Sequence, residues 1–378
     1  MRLRRLLRLL PPLVFVASLA VLPRLVCGLG AHDRFVGDVD AQRPLADAMA
    51  SWATTTAGQT HHSTGSDLYD AEWRLVSCQM TVLGLGQVIE EHPELRDAYL
   101  PAMEACLDWM ITPEATAFGA RRWGQEPGPI EGQGTHAYLG YINVALSMHR
   151  KVAPDSRFAA LNDRLTEAFA ERLRREPFFA LATYPGESFP ADQATVVGSI
   201  GLYDAATGAD HRDALDRYEA SLVAHAIDPD SGLLYQAFDP ASGRAVDVPR
   251  ASGTAFSAYF LSFASMPLSR RLYDALAARC HGTTLGFGGI DEYPPGVAGG
   301  FGDVDSGPVL FGVGTSATGF ALAAARIHGD EAVYTSITRT ATLFGVPRDR
   351  GGQRRYLMGG AIGNGLLLAM TTAHGRTP

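Results

Sequence analysis

The chain is poor in the residues and patterns that mark several large functional classes. Only four cysteines occur in 378 residues: Cys27, Cys78, Cys106 and Cys280. None is spaced as CxxC, which removes the usual zinc and dithiol-redox arrangements. One disulfide is possible, but a disulfide framework is not. No Lys/Arg-rich run follows the N-terminus, the net charge is −8 and the pI is about 5.8. The electrostatic footprint of a nucleic-acid binder is therefore missing, and an acidic surface of this kind mainly favours solubility. No GxSxG, Walker or dinucleotide motif stands in a strand–turn–helix setting. Asp303 and Asp305 lack the ligand spacing of a calcium loop. No metal or cofactor is expected, and the partner foreseen is a small-molecule substrate, with room left for a homo-oligomer.

Long apolar runs are also scarce, and the N-terminus carries the nearest approach to one. Arg2, Arg4, Arg5 and Arg8 form a positive head, Leu9 to Pro23 carry no charge, Arg24 follows, and Leu25 to Leu29 are apolar. The uncharged stretch is shorter than the ~20 residues of a comfortable membrane span. A basic head before a short apolar segment is the pattern of an export signal or an uncleaved N-in anchor. Val26 before Cys27 is a poor fit to a lipoprotein site. Residues 1–30 are thus expected to export the protein or hold it to a membrane, with residues 39–375 on the non-cytoplasmic side.

What the chain has in quantity is apolar residues, 46% of the total, enough for a large core. They fall in two alternating patterns. Amphipathic stripes include Leu45, Met49 and Trp52, and Phe158, Leu161, Leu165, Phe169 and Leu173. Between the stripes lie segments that are apolar or small nearly all round: 76–89, 137–148, 194–202, 252–263, 316–325 and 362–370. A helix with one wet face lies outside, and a helix with none must be buried on every side. Pro93, Pro154, Asp210, Pro267 and Asp330 mark the starts of amphipathic helices and recur about every 60 residues. The reading is all-α, an (α/α)6 barrel of six helical hairpins. Asp230-Ser231-Gly232 and Asp239 to Gly243 bound a small β-hairpin insertion.

The connections are unequal. Inner-to-outer turns are short, as in Glu91-His92-Pro93, whereas outer-to-inner connections are long, as in 112–135, 177–189 and 282–305. In an alternating ring all the long connections emerge at one end, and that end is where function is expected. Three connections there carry candidate chemistry. The second holds Trp123, Glu131 and His136 ahead of Tyr138; an imidazole at an inner-helix N-terminus has its pKa lowered and can act as a general base. The third holds Tyr184, Glu187, Phe189 and Asp192, two carboxylates with an aromatic residue between them. The fifth holds Asp291-Glu292-Tyr293 and the Gly-rich Asp303 to Gly307, with Asp305 inside it. The expected catalytic set is His136, Asp192 and Glu187. Trp123, Glu131, Tyr138, Tyr184, Phe189, Asp303 and Asp305 are the expected substrate-binding residues.

Over residues 72–326 the chain resembles the linalool dehydratase/isomerase-like family, whose fold is an α/α six-barrel. The resemblance rests on Pro129-Ile130-Glu131 followed by His136, on the outer helix from Phe158, on Tyr203-Asp204, on Ile227-Asp228-Pro229 and on the Gly-rich acidic stretch before Ser316. It implies metal-free removal or addition of water at a terpenoid alcohol, with His136 matching the family's His. The family's two Cys are unmatched; Thr183 or Tyr184 stands near the first and Asp192 near the second. The expected activity is therefore an acid/base lyase or isomerase on a small apolar alcohol or alkene. The alternative is a carbohydrate-active α/α-barrel enzyme, a glycosidase, lyase or epimerase, using paired carboxylates. A membrane-tethered binding domain is a third reading.

Overall fold

The computed structural model describes residues 18, 21–57, 60–176, 178, 180–304 and 306–375. After a short helix, Ala31–Val36, the long helices follow as α1 (Val39–Thr55), α2 (Asp67–Glu91), α3 (Arg96–Met110), α4 (Pro113–Arg122), α5 (Gly140–Val152), α6 (Ala159–Arg175) and α7 (Pro190–Thr207). They continue as α8 (Arg212–His225), α9 (Ala251–Leu261), α10 (Met266–Cys280), α11 (Thr315–Ile327), α12 (Glu331–Gly345) and α13 (Gly360–Thr372). Helices α2, α5, α7, α9, α11 and α13 pack each on the next, and α13 returns to α2. This is a closed inner ring. Helices α1, α3, α6, α8, α10 and α12 stand outside it, and α4 is an extra helix in the second long connection.

Composition decides which helix goes where. Along α6 the buried residues Leu165, Phe169 and Leu173 face inward, and the arginines and glutamates between them face water. In α2 every residue from Ser77 to Ile89 is buried, as an inner-ring position demands. Two glycines show how close the ring is drawn. A Cβ on Gly140 would lie 2.6 Å from Thr195 Oγ1, and one on Gly198 would lie 2.5 Å from the Phe260 carbonyl oxygen. Only glycine lets α5 meet α7, and α7 meet α9, at that distance. Starts are capped where the sequence provides for it. Asp38, Thr112, Ser265 and Asp330 each accept a backbone N–H of the helix that follows. Asp210 stands one residue before the N-cap of α8, His211, and its carboxylate accepts both the backbone N–H and the side chain of Arg212.

Short turns gather at one end of the barrel, which is shut. Tyr259 on α9 donates to Gln87 on α2 at 2.9 Å, and Gln87 donates to the Ala369 carbonyl on α13 at 2.8 Å. Beside them the buried Arg326 pairs with Glu91 at 2.7 Å and donates to the carbonyls of Phe35, Thr372 and Ala373. It ties the first and last parts of the chain to the inner ring.

The long connections hold four antiparallel hairpins where one was expected: β1–β2 (Phe238–Asp239, Arg244–Ala245), β3–β4 (His281–Thr284, Phe287–Ile290), β5–β6 (Val309–Leu310, Val313–Gly314) and β7–β8 (Pro347–Arg350, Gln353–Tyr356). Among the described residues no helix is long and apolar enough to cross a membrane. The transmembrane reading of the N-terminus is corrected to that extent. The basic head, Arg2 to Arg8, lies outside the described residues.

Candidate active site

Because inner helices all run from the long-connection end, their N-termini ring that mouth. Asp67 and Asp70 open α2, Pro190 and Asp192 open α7, and Arg250 stands at the N-cap of α9. Two of the long connections, the second and the third, bring their side chains into one network with residues of α2, α5 and α7.

Asp192 is its centre. Its carboxyl is buried in the first turn of α7 and accepts from Tyr141 at 2.5 Å and from Thr183 at 2.6 Å. Burial pushes its pKa up, against the two hydroxyls, which favour the anion. The Thr183 carbonyl in turn accepts the Trp123 indole N–H at 2.9 Å. Trp123 stacks flat on His136, with ring centroids 3.7 Å apart and planes 11° from parallel. His136 is held neutral, its pKa lowered to about 4 by burial and by the nearby Arg172 guanidinium. Its Nε2 is buried without a hydrogen-bond partner. Next in the chain after Thr183, Tyr184 donates its hydroxyl to Glu72 at 3.0 Å, and Arg122 lies 5.8 Å from the Tyr184 ring. Arg122 also pairs with Glu187 at 2.9 Å. His62 sits edge-on to Trp73 on the α2 side of the mouth.

A second cluster stands at α9. Arg250, 4% exposed, donates to Glu292 at 2.9 Å and to Asp303 at 2.5 Å. Ser252 donates to the same Glu292 oxygen at 2.6 Å, while Glu292 Oε2 has no partner. Glu292 is fully buried, and burial pushes its pKa up despite the guanidinium and the hydroxyl beside it.

The structure thus brings together His136, Asp192, Glu187, Trp123 and Tyr184. Asp303 joins the neighbouring cluster through Arg250. Phe189 is half-buried at the N-cap of α7. Tyr138 lies behind His136, wholly buried, with its hydroxyl on Gln133. Glu131 sits away from the network, paired with Arg164 on the outer helix α6. Asp305 lies outside the described residues. Sequence reasoning missed Glu72, Tyr141 and Arg250 as mouth residues and named Thr183 only as standing near an unmatched Cys of the resembled family. A signal was available for Glu72, since Ser66-Asp67 is a helix start and places Glu72 in the second turn of α2.

Among the described residues no group of three or more His, Cys, Asp or Glu is placed to hold a metal ion. A cleft of about 220 Å³ lies at the opposite, short-turn end, lined by Leu215, Tyr218, Leu261 and Met266 among others. It contains none of the network residues.

No family model matches the chain. Solved structures do. The GH76A α-1,6-mannanase from Salegentibacter sp. HEL1_6 superposes with a TM-score of 0.53 at 13% identity, over 89% of this chain and 98% of its own. The unsaturated glucuronyl hydrolase from Bacillus sp. GL1, responsible for the degradation of glycosaminoglycan, gives 0.51 at 14%, over 89% and 95%. The GH76 α-mannanase BT2949 of Bacteroides thetaiotaomicron gives 0.51 at 10%, over 89% and 97%. These neighbours overturn the expected kinship with linalool dehydratase/isomerase, and with it the terpenoid alcohol and the dehydratase-type lyase or isomerase reaction. The motifs behind that expectation have local explanations: Ile130 is a buried residue of a single 3-10 turn, and Glu131 faces α6. At these identities the likeness shows the fold, and the fold is that of α/α barrels solved as carbohydrate-degrading enzymes.

Proposed function

We propose that the long-connection end is the active site of a carbohydrate-active enzyme that cleaves a glycosidic bond. The observation that carries this reading is Asp192: a buried carboxyl with a raised pKa, aimed by Tyr141 and Thr183, at the functional end of an α/α barrel. Glycosidic cleavage needs a carboxyl that keeps its proton long enough to protonate the leaving oxygen, and a second carboxylate opposite it. Asp192 fills the first role. Glu72, oriented by the Tyr184 hydroxyl, fills the second. The flat Trp123–His136 stack, only partly buried, offers a face on which sugar rings pack, and Arg122 supplies a cation for an acidic or hydroxyl-rich substrate. His136, neutral at physiological pH, serves as an aromatic face and hydrogen-bonding group rather than a cation.

The test is turnover of a panel of oligosaccharides, including α-1,6-linked mannosides and unsaturated glucuronyl oligosaccharides, followed by the appearance of reducing ends. Asp192→Asn should lower turnover by ~10²–10⁴-fold, the scale of losing a general acid, with the thermal unfolding midpoint close to the parent. A panel without any product, or an Asp192→Asn variant of undiminished activity, would refute the proposal.

A further inference from the structure

One side of the barrel is unlike the rest. Val21, Leu22, Leu25, Val26 and Leu29 are each more than half exposed, and Leu29 reaches 71%. Following the chain back from Ala31–Val36 shows where they lead. His32 pairs with Glu331 at the start of α12, Gly28 lies against Arg339 two turns further along, and Arg24 packs on Gly286 at the tip of the β3–β4 hairpin. Residues 32 to 21 therefore climb the outside of α12 toward the end that carries the long connections. Apolar side chains crowd that destination. Leu285, in the β3–β4 turn, is 66% exposed and Phe344, at the top of α12, is 68% exposed. Val346, Leu357 and Met358 are bare as well, brought together by backbone bonds from Leu357 to Val346 and from Met358 to Gly345.

Charge at this place opposes that of the whole protein. Between Val346 and Leu357, the β7–β8 hairpin carries Arg348, Arg350, Arg354 and Arg355 against one acid, Asp349, in a chain of net charge −8. Arg24 and Arg339 flank the apolar residues on the other side. Exposed apolar tips among arginines are the makings of an interfacial membrane surface. Apolar groups enter the headgroup–acyl boundary, and guanidinium groups bind lipid phosphates. A second copy of the chain is a poorer occupant. A two-fold interface would set arginine hairpin against arginine hairpin. The sequence that precedes the patch, four arginines and then an uncharged apolar run to Pro23, has the same double character.

We propose that this side of the barrel docks on an anionic lipid bilayer. Residues 21–29, Leu285 and Phe344 reach the acyl boundary, and the β7–β8 arginines lie on phosphates. Because the patch borders the mouth, the barrel then works on glycans carried at the membrane surface. That last step rests on the carbohydrate reading above; the docking itself does not.

The four native cysteines are all buried, so a single exposed thiol takes a label selectively. The full chain carrying Phe344→Cys is labelled with a polarity-sensitive fluorophore and mixed with vesicles of phosphatidylglycerol and phosphatidylcholine. The label should shift to the blue and be quenched by bromolipids, whereas a label introduced by Arg175→Cys, on α6 across the barrel, should do neither. Combining Phe344→Cys with Arg348→Glu, Arg350→Glu and Arg355→Glu should raise the half-saturating lipid concentration by at least ~100-fold, about fivefold per arginine removed. A label at position 344 that stays water-exposed on vesicle-bound protein would overturn the proposal. So would a blue shift that needs only high protein concentration, the mark of a second copy. Oligosaccharide turnover is measured separately. Embedding without turnover sinks the carbohydrate reading alone, and turnover with a water-exposed label sinks the docking alone.

Discussion

Tyr141→Phe takes one donor from the Asp192 carboxyl and leaves the ring in place. In the parent the hydroxyl donates to Asp192 Oδ1 at 2.5 Å, and Thr183 holds the other oxygen. Both bonds favour the anion, while burial favours the acid and prevails. A hydrogen bond to a charged group is worth roughly 1.5–3 kcal/mol, and one pKa unit corresponds to about 1.36 kcal/mol. Losing one donor should therefore raise the Asp192 pKa by a further ~1–2 units. If Asp192 is the general acid, the alkaline limb of the kcat/KM profile moves up by the same amount. Stability moves in the matching direction. A folded-state pKa above the unfolded value means that the native carboxyl holds its proton where the unfolded one has lost it, so stability falls as pH rises through that window. The variant should widen the window upward. The pH–rate profile and denaturant unfolding at a series of pH values read the two effects independently. An unmoved alkaline limb in a folded, active variant would refute the coupling between Tyr141 and the acid, and a downward shift would invert the assignment of Asp192 as acid.

Two other sites yield predictions that do not depend on the activity. His211 is almost fully buried, and burial works against its charge, but Asp204 at 2.5 Å and Glu167 at 3.1 Å outweigh it and raise the pKa. Its contribution is complete below about pH 6.5 and is lost as pH rises through the folded-state value. His211→Asn should lower the melting temperature at pH 5.5 by ~2 °C or more and matter little at pH 9; an equal loss at both would disprove the charge argument. At Gly198, a methyl would meet the Phe260 carbonyl oxygen at 2.5 Å. Gly198→Ala should cost ~1–3 kcal/mol in chemical denaturation, the usual penalty of overpacking. A variant as stable as the parent would show that α7 and α9 can separate without cost.

The sequence alone gave access to more of the scaffold than of the mouth, for physical reasons. Helices such as α6 and α2 are long enough for 3.6-residue periodicity, or its absence, to tell outside from inside. The alternation of short and long connections then located the mouth without any motif, and His136, Asp192 and Glu187 do meet there in one network. The misses are short or unperiodic. Helix α4 is a ten-residue element with three alanines within a long connection, too brief for an amphipathic stripe. It nevertheless seats Phe118 and Gly119 against Tyr138 and delivers Trp123 to the mouth. The β3–β4, β5–β6 and β7–β8 hairpins escaped because their strands run two to four residues and turn at Leu285, Phe311 and Gly351-Gly352. The first two turns place a bulky residue at positive φ, where Asn or Gly is the usual signal. Tyr141 was hidden for another reason. It begins an inner helix that is buried along almost its whole length, and nothing in the pattern says that its hydroxyl points at a carboxyl.

The mistaken family reading has a related origin. Pro129-Ile130-Glu131 and His136 keep an order that persuades when read along the chain, but each answers a demand of this barrel. Ile130 fills a buried position, Glu131 pairs with Arg164, and His136 packs on Trp123 at the entrance to α5. Burial, surface pairing and stacking of this kind say nothing of the chemistry a barrel carries. Chemistry is instead distinguished by which buried groups lack an apolar alternative. A carboxyl at the start of α7 could have been a surface cap, as Asp330 is on α12. Asp192 is buried, and its pKa is raised although two hydroxyls are turned toward it. A cap has no need of burial, and a core position has no need of a carboxyl. A proton donor needs both, and for that reason the proposed acid role is given to Asp192 rather than to the stacked and neutral His136.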